Sequence, residues 1–166
     1  MTVRAFIGVG SNLGDRSAHC AEATAALGRL PRTALVQISP WIETPPQEGV
    51  AGGTFLNGVV ELATELSPRA LLQSLQVIEI AAGRPAGHRR GAARSMDLDI
   101  LLYGDSLVRE VDLAIPHPRM AERRFVLEPL AAIAPDVRHP VLKLTAADLL
   151  RRLDTAKHEK LGRAAP

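Results

Sequence analysis

The alternation of polar and apolar residues is clearest in residues 94–102, which read Arg-Ser-Met-Asp-Leu-Asp-Ile-Leu-Leu. Because successive side chains of a strand point to opposite faces, Asp97 and Asp99 are predicted to share one face. The other face is predicted to carry the apolar side chains of Met96, Leu98, Ile100 and Leu102. The pattern therefore predicts a half-buried strand, ending near Tyr103, that presents two carboxylates side by side.

Apolar stretches also predict four further strands, at residues 4–9, 34–41, 55–63 and 107–111. The first helix can be capped by Asp15 and end near Leu27, since Gly28 follows directly. A second helix can be capped by Ser67 with Pro68 at its first position. Its apolar stripe is formed by Leu71, Leu75, Ile78 and Ala82, ahead of Gly83.

The last predicted helix starts at a capping box formed by Thr145 and Asp148. Its inward-facing residues are Leu149, Leu150 and Leu153. Residues 1–154 are expected to form a single domain, and residues 155–166 are expected to form a polar, frayed C-terminal tail.

The order of elements, strand-helix-strand-strand-helix-strand, is typical of the split βαβ pattern. It predicts an α+β fold, a ferredoxin-like α/β sandwich whose antiparallel sheet has its helices packed mainly on one face. The opposite face would then hold the proline-rich turn after residue 43, the arginine-rich loop 84–94, the two aspartates and the segment around His117. These four stretches are expected to converge on one site.

Composition excludes several classes of protein. The chain has 166 residues, 46% of them hydrophobic, and lacks an apolar run long enough to span a membrane. Its single cysteine, Cys20, excludes an internal disulfide and favours the cytoplasm. A net charge of +2 with one Trp, one Tyr and three Phe gives little support to nucleic-acid binding.

Two carboxylates on neighbouring same-face positions repel each other unless a positive group lies between them. All-oxygen ligands suit Mg²⁺, and the arginines at 84, 89, 90 and 94 suggest that a metal and arginines together hold a phosphate chain. The alternative is that the aspartates are simply the solvent-exposed side of a surface strand.

Several motifs occur here in the order that they take in the 6-hydroxymethyl-7,8-dihydropterin pyrophosphokinase family. They are residues 10–15, 44–46, 55–57, 116–120 and, most specifically, Arg90-Gly-Ala-Ala-Arg94, two intervening residues and then Asp-Leu-Asp-Ile-Leu. The sequence resembles this family from about Arg4 to Leu153. The resemblance implies a ferredoxin-like fold and transfer of the terminal diphosphate of ATP to the hydroxymethyl group of a dihydropterin, with release of AMP, as a step of tetrahydrofolate biosynthesis.

The resemblance also assigns roles to residues. Asp97 and Asp99 would be catalytic residues that bind two Mg²⁺ ions, and Arg84 and Arg94 would be catalytic residues that hold the phosphates. Contacts to the co-substrate ATP would come from Gln76, Glu79, Ile100, His117 and Arg123. The pterin would be bound by Thr44, Pro45, Pro46, Phe55, Asn57 and Phe125.

The sequence also departs from the family in places. A tryptophan that is frequent in the arginine-rich loop is replaced by Gly91, and Asp112 stands where some relatives have a basic residue. The expected partners are small molecules only, with no nucleic acid and no membrane, and nothing in the sequence demands a dimer.

Two rival classes make different predictions. A nucleotidyltransferase pairs a Gly-Ser turn with an Asp-x-Asp motif in one short element, whereas Ser11 and Asp97 are far apart here. An RNA-binding module would need neither aspartate and would show steeply salt-dependent binding. A P-loop kinase is excluded because the sequence has no Gly-x-x-x-x-Gly-Lys-Ser/Thr run.

Overall fold

A computed structural model describes residues 1–46, 48–49, 51–83 and 96–163. Along the chain the elements are β1 (Val3–Ser11), α1 (Arg16–Gly28), β2 (Thr33–Ile38), β3 (Ile42–Thr44), β4 (Phe55–Thr64), α2 (Pro68–Ala81), β5 (Asp97–Tyr103), β6 (Val108–Glu110), β7 (Leu113–Ile115), a short 3₁₀ helix (Met120–Glu122), α3 (Arg124–Ile133) and α4 (Ala146–Arg163).

The predicted helix starts are confirmed by their capping bonds. The Asp15 carboxylate accepts the Ala18 N–H at 3.1 Å, and Ser67 Oγ accepts the Ala70 N–H at 3.2 Å. Each bond satisfies one of the backbone donors that a helix start leaves without an intrahelical partner. At the far end of α2, Gly83 has a φ of 94°, a left-handed conformation that favours glycine.

The main sheet is antiparallel, and its strands lie in the order β2-β4-β1-β5, with the short β3 also paired to β4. Strand β1 is therefore central, with β4 on one side and β5 on the other. Gly10 lies opposite Asn57 of β4 and Asp97 of β5. This register aligns residues of three strands in rows across the sheet.

Helices cover both faces of this sheet. On one face α1 and α2 pack on β1, β4 and β5, and Leu27, Leu71 and Leu75 are buried there. On the other face α3 and α4 bury Leu127 and Leu149 in a second core. The α+β, ferredoxin-like class is confirmed, but α3 and α4 cover the face that was predicted to hold mainly loops.

A bulge changes the alternation along β5. Ile7 pairs with Ile100, whereas the preceding residue Phe6 pairs with Leu102, so Leu101 has no residue directly opposite. Leu101 and Leu102 consequently both contribute to the core under α3 and α4. The prediction that Leu102 shares a face with Ile100 is wrong, because strict alternation holds only up to the bulge.

Strand β2 ends at Ile38, before the predicted end at Trp41, and the chain is then held against β4 by other contacts. Ser39 Oγ accepts the Val59 N–H at 2.8 Å, and the Ser39 N–H donates to the Val59 carbonyl at 2.9 Å. The Trp41 ring lies where a side chain at Gly58 would be, since a Cβ there would be 2.5 Å from Trp41 Cε3. Glycine at position 58 therefore allows this close approach.

The C-terminal helix is longer than predicted. Thr145 Oγ1 accepts the Asp148 N–H at 3.1 Å, which confirms the cap, and the helix continues past Asp154 to Arg163. Residues 155–163 are exposed, in keeping with their polar composition. In the part of the chain that the structure describes, no helix has both the length and the apolar composition needed to cross a bilayer.

His139 generates a prediction about the pH dependence of stability. The residue is 8% exposed, and its Nδ1 accepts the N–H groups of Val141 at 3.2 Å and Leu142 at 3.1 Å. Burial lowers the pKa of His139 below its usual value, so the folded chain holds the neutral form. The unfolded chain takes up a proton first as the pH falls below about 6.5, and the stabilisation is then lost.

We therefore expect the free energy of unfolding to fall between pH 7 and pH 5, measured by urea denaturation. His139→Ala should lose about 1–3 kcal/mol at pH 7, the contribution of two hydrogen bonds. His139→Asn, whose amide oxygen can accept in place of Nδ1, should keep most of the stability with a flatter pH profile. An identical pH slope in the wild type and this variant would contradict the assignment.

Candidate active site

One cleft of about 730 Å³ lies across the edge of the sheet where β5, β1 and β4 meet α2, α3 and the segment after β7. Most of the residues that were predicted to form the site line this cleft. Those lining it are Thr44, Pro45, Phe55, Asn57, Gln76, Glu79, Asp97, Asp99, His117, Arg123 and Phe125.

Four assigned residues remain to be accounted for. Arg84 and Arg94 lie outside the described residues. Pro46 is exposed and is not part of the cleft lining among the described residues. Ile100 is 5% exposed and packs in the core beneath α1 and α2, so its side chain points away from the cleft.

The two aspartates share the cleft face of β5, as predicted. Asp97 lies opposite Gly10 and Asp99 opposite Gly8, while Leu98 between them is buried in the core. Within the described ranges, no group of three or more His, Cys, Asp and Glu residues comes together to bind a metal. The carboxylates of Asp97 and Asp99 are both half-exposed in the cleft.

Glu79 links α2 to this aspartate strand. Its carboxylate Oε1 accepts the backbone N–H of Leu98 at 2.7 Å, and the residue is only 7% exposed. The bond fixes α2 against the stretch of β5 that carries both aspartates. It also places Gln76, one turn earlier on the helix, on the wall of the same cleft.

The opposite end of the cleft is lined by an oriented amide and two aromatic rings. Asn57 is 8% exposed, and its Nδ2 donates to Thr44 Oγ1 at 2.7 Å, which fixes the rotation of the amide. Phe55, on the same face of β4, and Phe125, from α3, both line this end. An oriented amide and two aromatic rings in one cleft can bind a planar heterocycle by stacking and hydrogen bonding.

A cationic wall lies on the α3 side of the cleft. Arg123 Nε is buried and has no hydrogen-bond partner in the described part of the chain, and the guanidinium lies 5.5 Å from the centre of the Phe125 ring. Burial, and then the charge of Arg119, lower the pKa of Arg123. A bound anion would supply the partner that Nε of Arg123 lacks.

His117 lies beside this arginine. Its backbone N–H donates to the Leu101 carbonyl at 2.9 Å, and its Nδ1 accepts the Arg119 N–H at 3.2 Å. Burial, followed by the charge of Arg123, lowers the pKa of His117 to about 4. The imidazole is therefore neutral at neutral pH and adds no charge of its own to the wall.

Sequence reasoning missed some lining residues. Arg119 lies within a motif that was recognised, but it received no role. Gly8 was treated only as part of the first strand, and Gly10 only as part of the motif at residues 10–15. The spacing of the two glycines is the signal that could have found them. Residues two apart share a face of β1, so these glycines lie between the aspartates and β4.

Comparison with known proteins agrees with this arrangement. A family model described as 7,8-dihydro-6-hydroxymethylpterin-pyrophosphokinase (HPPK) matches residues 6–135. The 2-amino-4-hydroxy-6-hydroxymethyldihydropteridine pyrophosphokinase of Pseudomonas aeruginosa is 43% identical over 140 residues, 84% of this chain and 86% of that protein. The protein of the same name from Methylorubrum extorquens is 39% identical over 158 residues, 95% of this chain and 98% of that one.

The fold also has a solved counterpart. The wild-type HPPK-DHPS chain of Plasmodium falciparum superimposes with a TM-score of 0.77 at 16% identity, over 98% of this chain and 44% of that chain. This chain thus spans less than half of that longer protein. The fold and the sequence relatives together define a pyrophosphokinase, a transferase. The chain belongs to the 7,8-dihydro-6-hydroxymethylpterin-pyrophosphokinase family.

The position of His117 generates a prediction that needs no ligand. In NMR titrations of the protein the ring of His117 should titrate with a pKa of about 4. Arg123→Gln removes a nearby positive charge and should raise that pKa. Arg124→Gln is the matched control, because Arg124 points to Glu128 and Asp154 instead. An equal shift in both variants would show that Arg123 does not act on His117.

Proposed function

We propose that this chain transfers diphosphate from ATP to the hydroxymethyl group of 6-hydroxymethyl-7,8-dihydropterin, releasing AMP, as a step of tetrahydrofolate biosynthesis. The observation that carries the proposal is that one cleft holds the Asn57 amide and two phenyl rings at one end and Asp97 and Asp99 beside a cationic wall at the other. Family membership supports both the reaction and the pair of substrates.

The pterin is assigned to the end near β3 and β4. Phe55 and Phe125 would contact the ring faces, and the Asn57 amide, held by Thr44, would hydrogen-bond to the polar edge of the ring. Pro45 adds a rigid wall beside them, and Pro46 follows it at the exposed rim. This end selects a flat molecule with donors and acceptors along one edge.

ATP is assigned to the end near β5 and α2. Gln76, Glu79 and the backbone around Ile100 would contact the nucleotide, while His117 and Arg123 face its phosphates. Arg84 and Arg94 are proposed to hold the transferring group, on the resemblance of their motif alone. An ATP phosphate would satisfy the buried Arg123 Nε.

The donor set fits magnesium. Mg²⁺ in proteins is commonly held by one or two carboxylates, with water and substrate phosphates completing an octahedron. Asp97 and Asp99 supply two such carboxylates on one face of β5, and we propose that they hold two Mg²⁺ ions together with ATP. When bound, the metal would neutralise charge on the triphosphate.

In the proposed reaction the hydroxymethyl oxygen forms a bond to the β-phosphorus of ATP. The bond between that phosphorus and the oxygen bridging to the α-phosphorus breaks, AMP leaves with this oxygen, and the hydroxyl proton passes to water. The chain contributes by positioning, because β4 orients the acceptor and β5 the donor across the central strand β1. Arg123 would stabilise the charge on the phosphates.

Asp112, which stands where some relatives have a basic residue, forms an ion pair with Arg69. The Asp112 carboxylate accepts hydrogen bonds from the Arg69 guanidinium at 2.8 and 2.9 Å, and Arg69 also pairs with Glu110. These contacts join α2 to the turn between β6 and β7, the hairpin that leads to His117. We propose that Asp112 supports the nucleotide end of the cleft through this hairpin.

We further propose that the chain acts as a monomer in the cytoplasm on small molecules alone, without nucleic acid or membrane. Supporting the choice of small molecules, the assigned site is a cleft of about 730 Å³, a size typical of small-molecule sites. The thiol of Cys20 is buried, which raises its pKa to about 11 and makes it a poor nucleophile.

Product identity tests the reaction. Purified protein with Mg²⁺, ATP and the dihydropterin should form AMP and pterin diphosphate in equal amounts, separated by ion-exchange chromatography. AMP should require both substrates. Formation of ADP would indicate single phosphoryl transfer, and formation of free diphosphate would indicate nucleotidyl transfer; either result would contradict the proposal.

Asp97→Ala and Asp99→Ala test the metal assignment. Each should lower kcat on the order of 100-fold or more, since a group that balances developing charge is lost. The fold should be retained, as judged by circular dichroism, because both side chains are half-exposed. Asp105→Ala, in an exposed turn outside the cleft lining, is the matched control and should leave kcat unchanged. Near-normal turnover of both cleft variants would refute the assignment.

A further inference from the structure

Three strands contribute one residue each to a row across the floor of the cleft. Asn57 of β4 lies opposite Gly10 of β1, and Gly10 lies opposite Asp97 of β5. Neighbouring strands are about 4.8 Å apart, so the central residue of the row separates the amide from the carboxylate by roughly two strand spacings. Gly10 thus lies directly between the proposed pterin end and the proposed phosphate end.

The space that a side chain at position 10 would fill is occupied by the amide of Asn57. A Cβ built on Gly10 would lie 2.9 Å from Asn57 Oδ1, closer than carbon and oxygen atoms approach in proteins. The other neighbours, Phe55 Cδ1 at 3.7 Å and the Leu56 carbonyl oxygen at 3.9 Å, are at ordinary contact distance. A side chain at this position would therefore disturb the Asn57 amide and little else.

Backbone strain does not explain this glycine. Gly10 is paired on both sides within β1 and is not one of the glycines with positive φ, so alanine can adopt its conformation. The clash is with the end of a side chain, which can turn away at small cost to the fold. Turning it away, however, breaks the 2.7 Å bond that Nδ2 donates to Thr44 Oγ1.

We propose that Gly10 is a positioning residue for the pterin, acting through Asn57: the absence of a Cβ keeps the amide in the orientation set by Thr44. The inference rests on the proposed pterin role of Asn57. Gly10 need not itself contact the ligand, because it acts by leaving space for the side chain of Asn57.

The test compares Gly10→Ala with Gly28→Ala, whose Cβ would meet Leu35 at an ordinary 3.6 Å outside the cleft lining. Binding of 6-hydroxymethyl-7,8-dihydropterin and of a non-hydrolysable ATP analogue is measured separately by calorimetry. Gly10→Ala should weaken pterin binding by about tenfold, as expected when a buried polar group is mispaired. Its affinity for the ATP analogue, and both affinities of Gly28→Ala, should stay within about twofold of the wild type.

A double-mutant cycle tests the route through Asn57. Gly10→Ala introduced into Asn57→Ala should weaken pterin binding by less than about twofold, because the clash partner is gone. An undiminished loss in that background would overturn the proposal, as would normal pterin binding by Gly10→Ala or loss of both ligands by it. Normal pterin binding by Asn57→Ala alone would instead refute the pterin role of Asn57 on which the inference rests.

Discussion

Pairing of β1 with β4 on one side and with β5 on the other is the constraint on which the site depends. Hydrogen bonding fixes the register of both pairs, and the register places Asn57, Gly10 and Asp97 in one row and Val59, Gly8 and Asp99 in the next. A slip of one residue would turn the aspartates into the core and Leu98 into the cleft. The apolar core beneath α1 and α2 opposes such a slip, since it buries Ile7, Leu98 and Ile100 together.

The second helical layer gives the cleft its other wall. Helix α3 contributes Phe125 and begins directly after Arg123, while the buried side chains of Leu127 and Leu130 hold the helix on the sheet. The same helix is joined to β2 and β4 at its far end, where Gln37 Nε2 donates both to the Ile133 carbonyl at 2.9 Å and to buried Glu61 at 2.7 Å. Packing and hydrogen bonding thus set the distance between the Phe125 ring and the strand that carries Asn57.

The sequence predicted those parts of the fold and site that depend on local rules. Asp15, Ser67 and Thr145 cap helices because their side chains accept nearby backbone N–H groups. The predicted alternation is correct at Asp97 and Asp99 because these residues precede the bulge. Helix α3 was missed because Pro129 interrupts its pattern and no side chain caps its start. The bulge at Leu101 depends on pairing with β1, some ninety residues earlier in the chain. The sequence around Leu101 carries no information about that pairing, so the bulge could not be predicted from it. The roles of Arg84 and Arg94 stay predictions.

The contact between Trp41 and Gly58 has a practical consequence. Trp41 is the single tryptophan of the chain, and it packs on β4 at the residue next to Asn57. The tryptophan fluorescence of this protein therefore comes from one known place, the join between β2 and β3, and β3 carries Thr44. Changes in emission on mixing with ligand can be read as local events at that join, without labelling or the introduction of a second fluorophore.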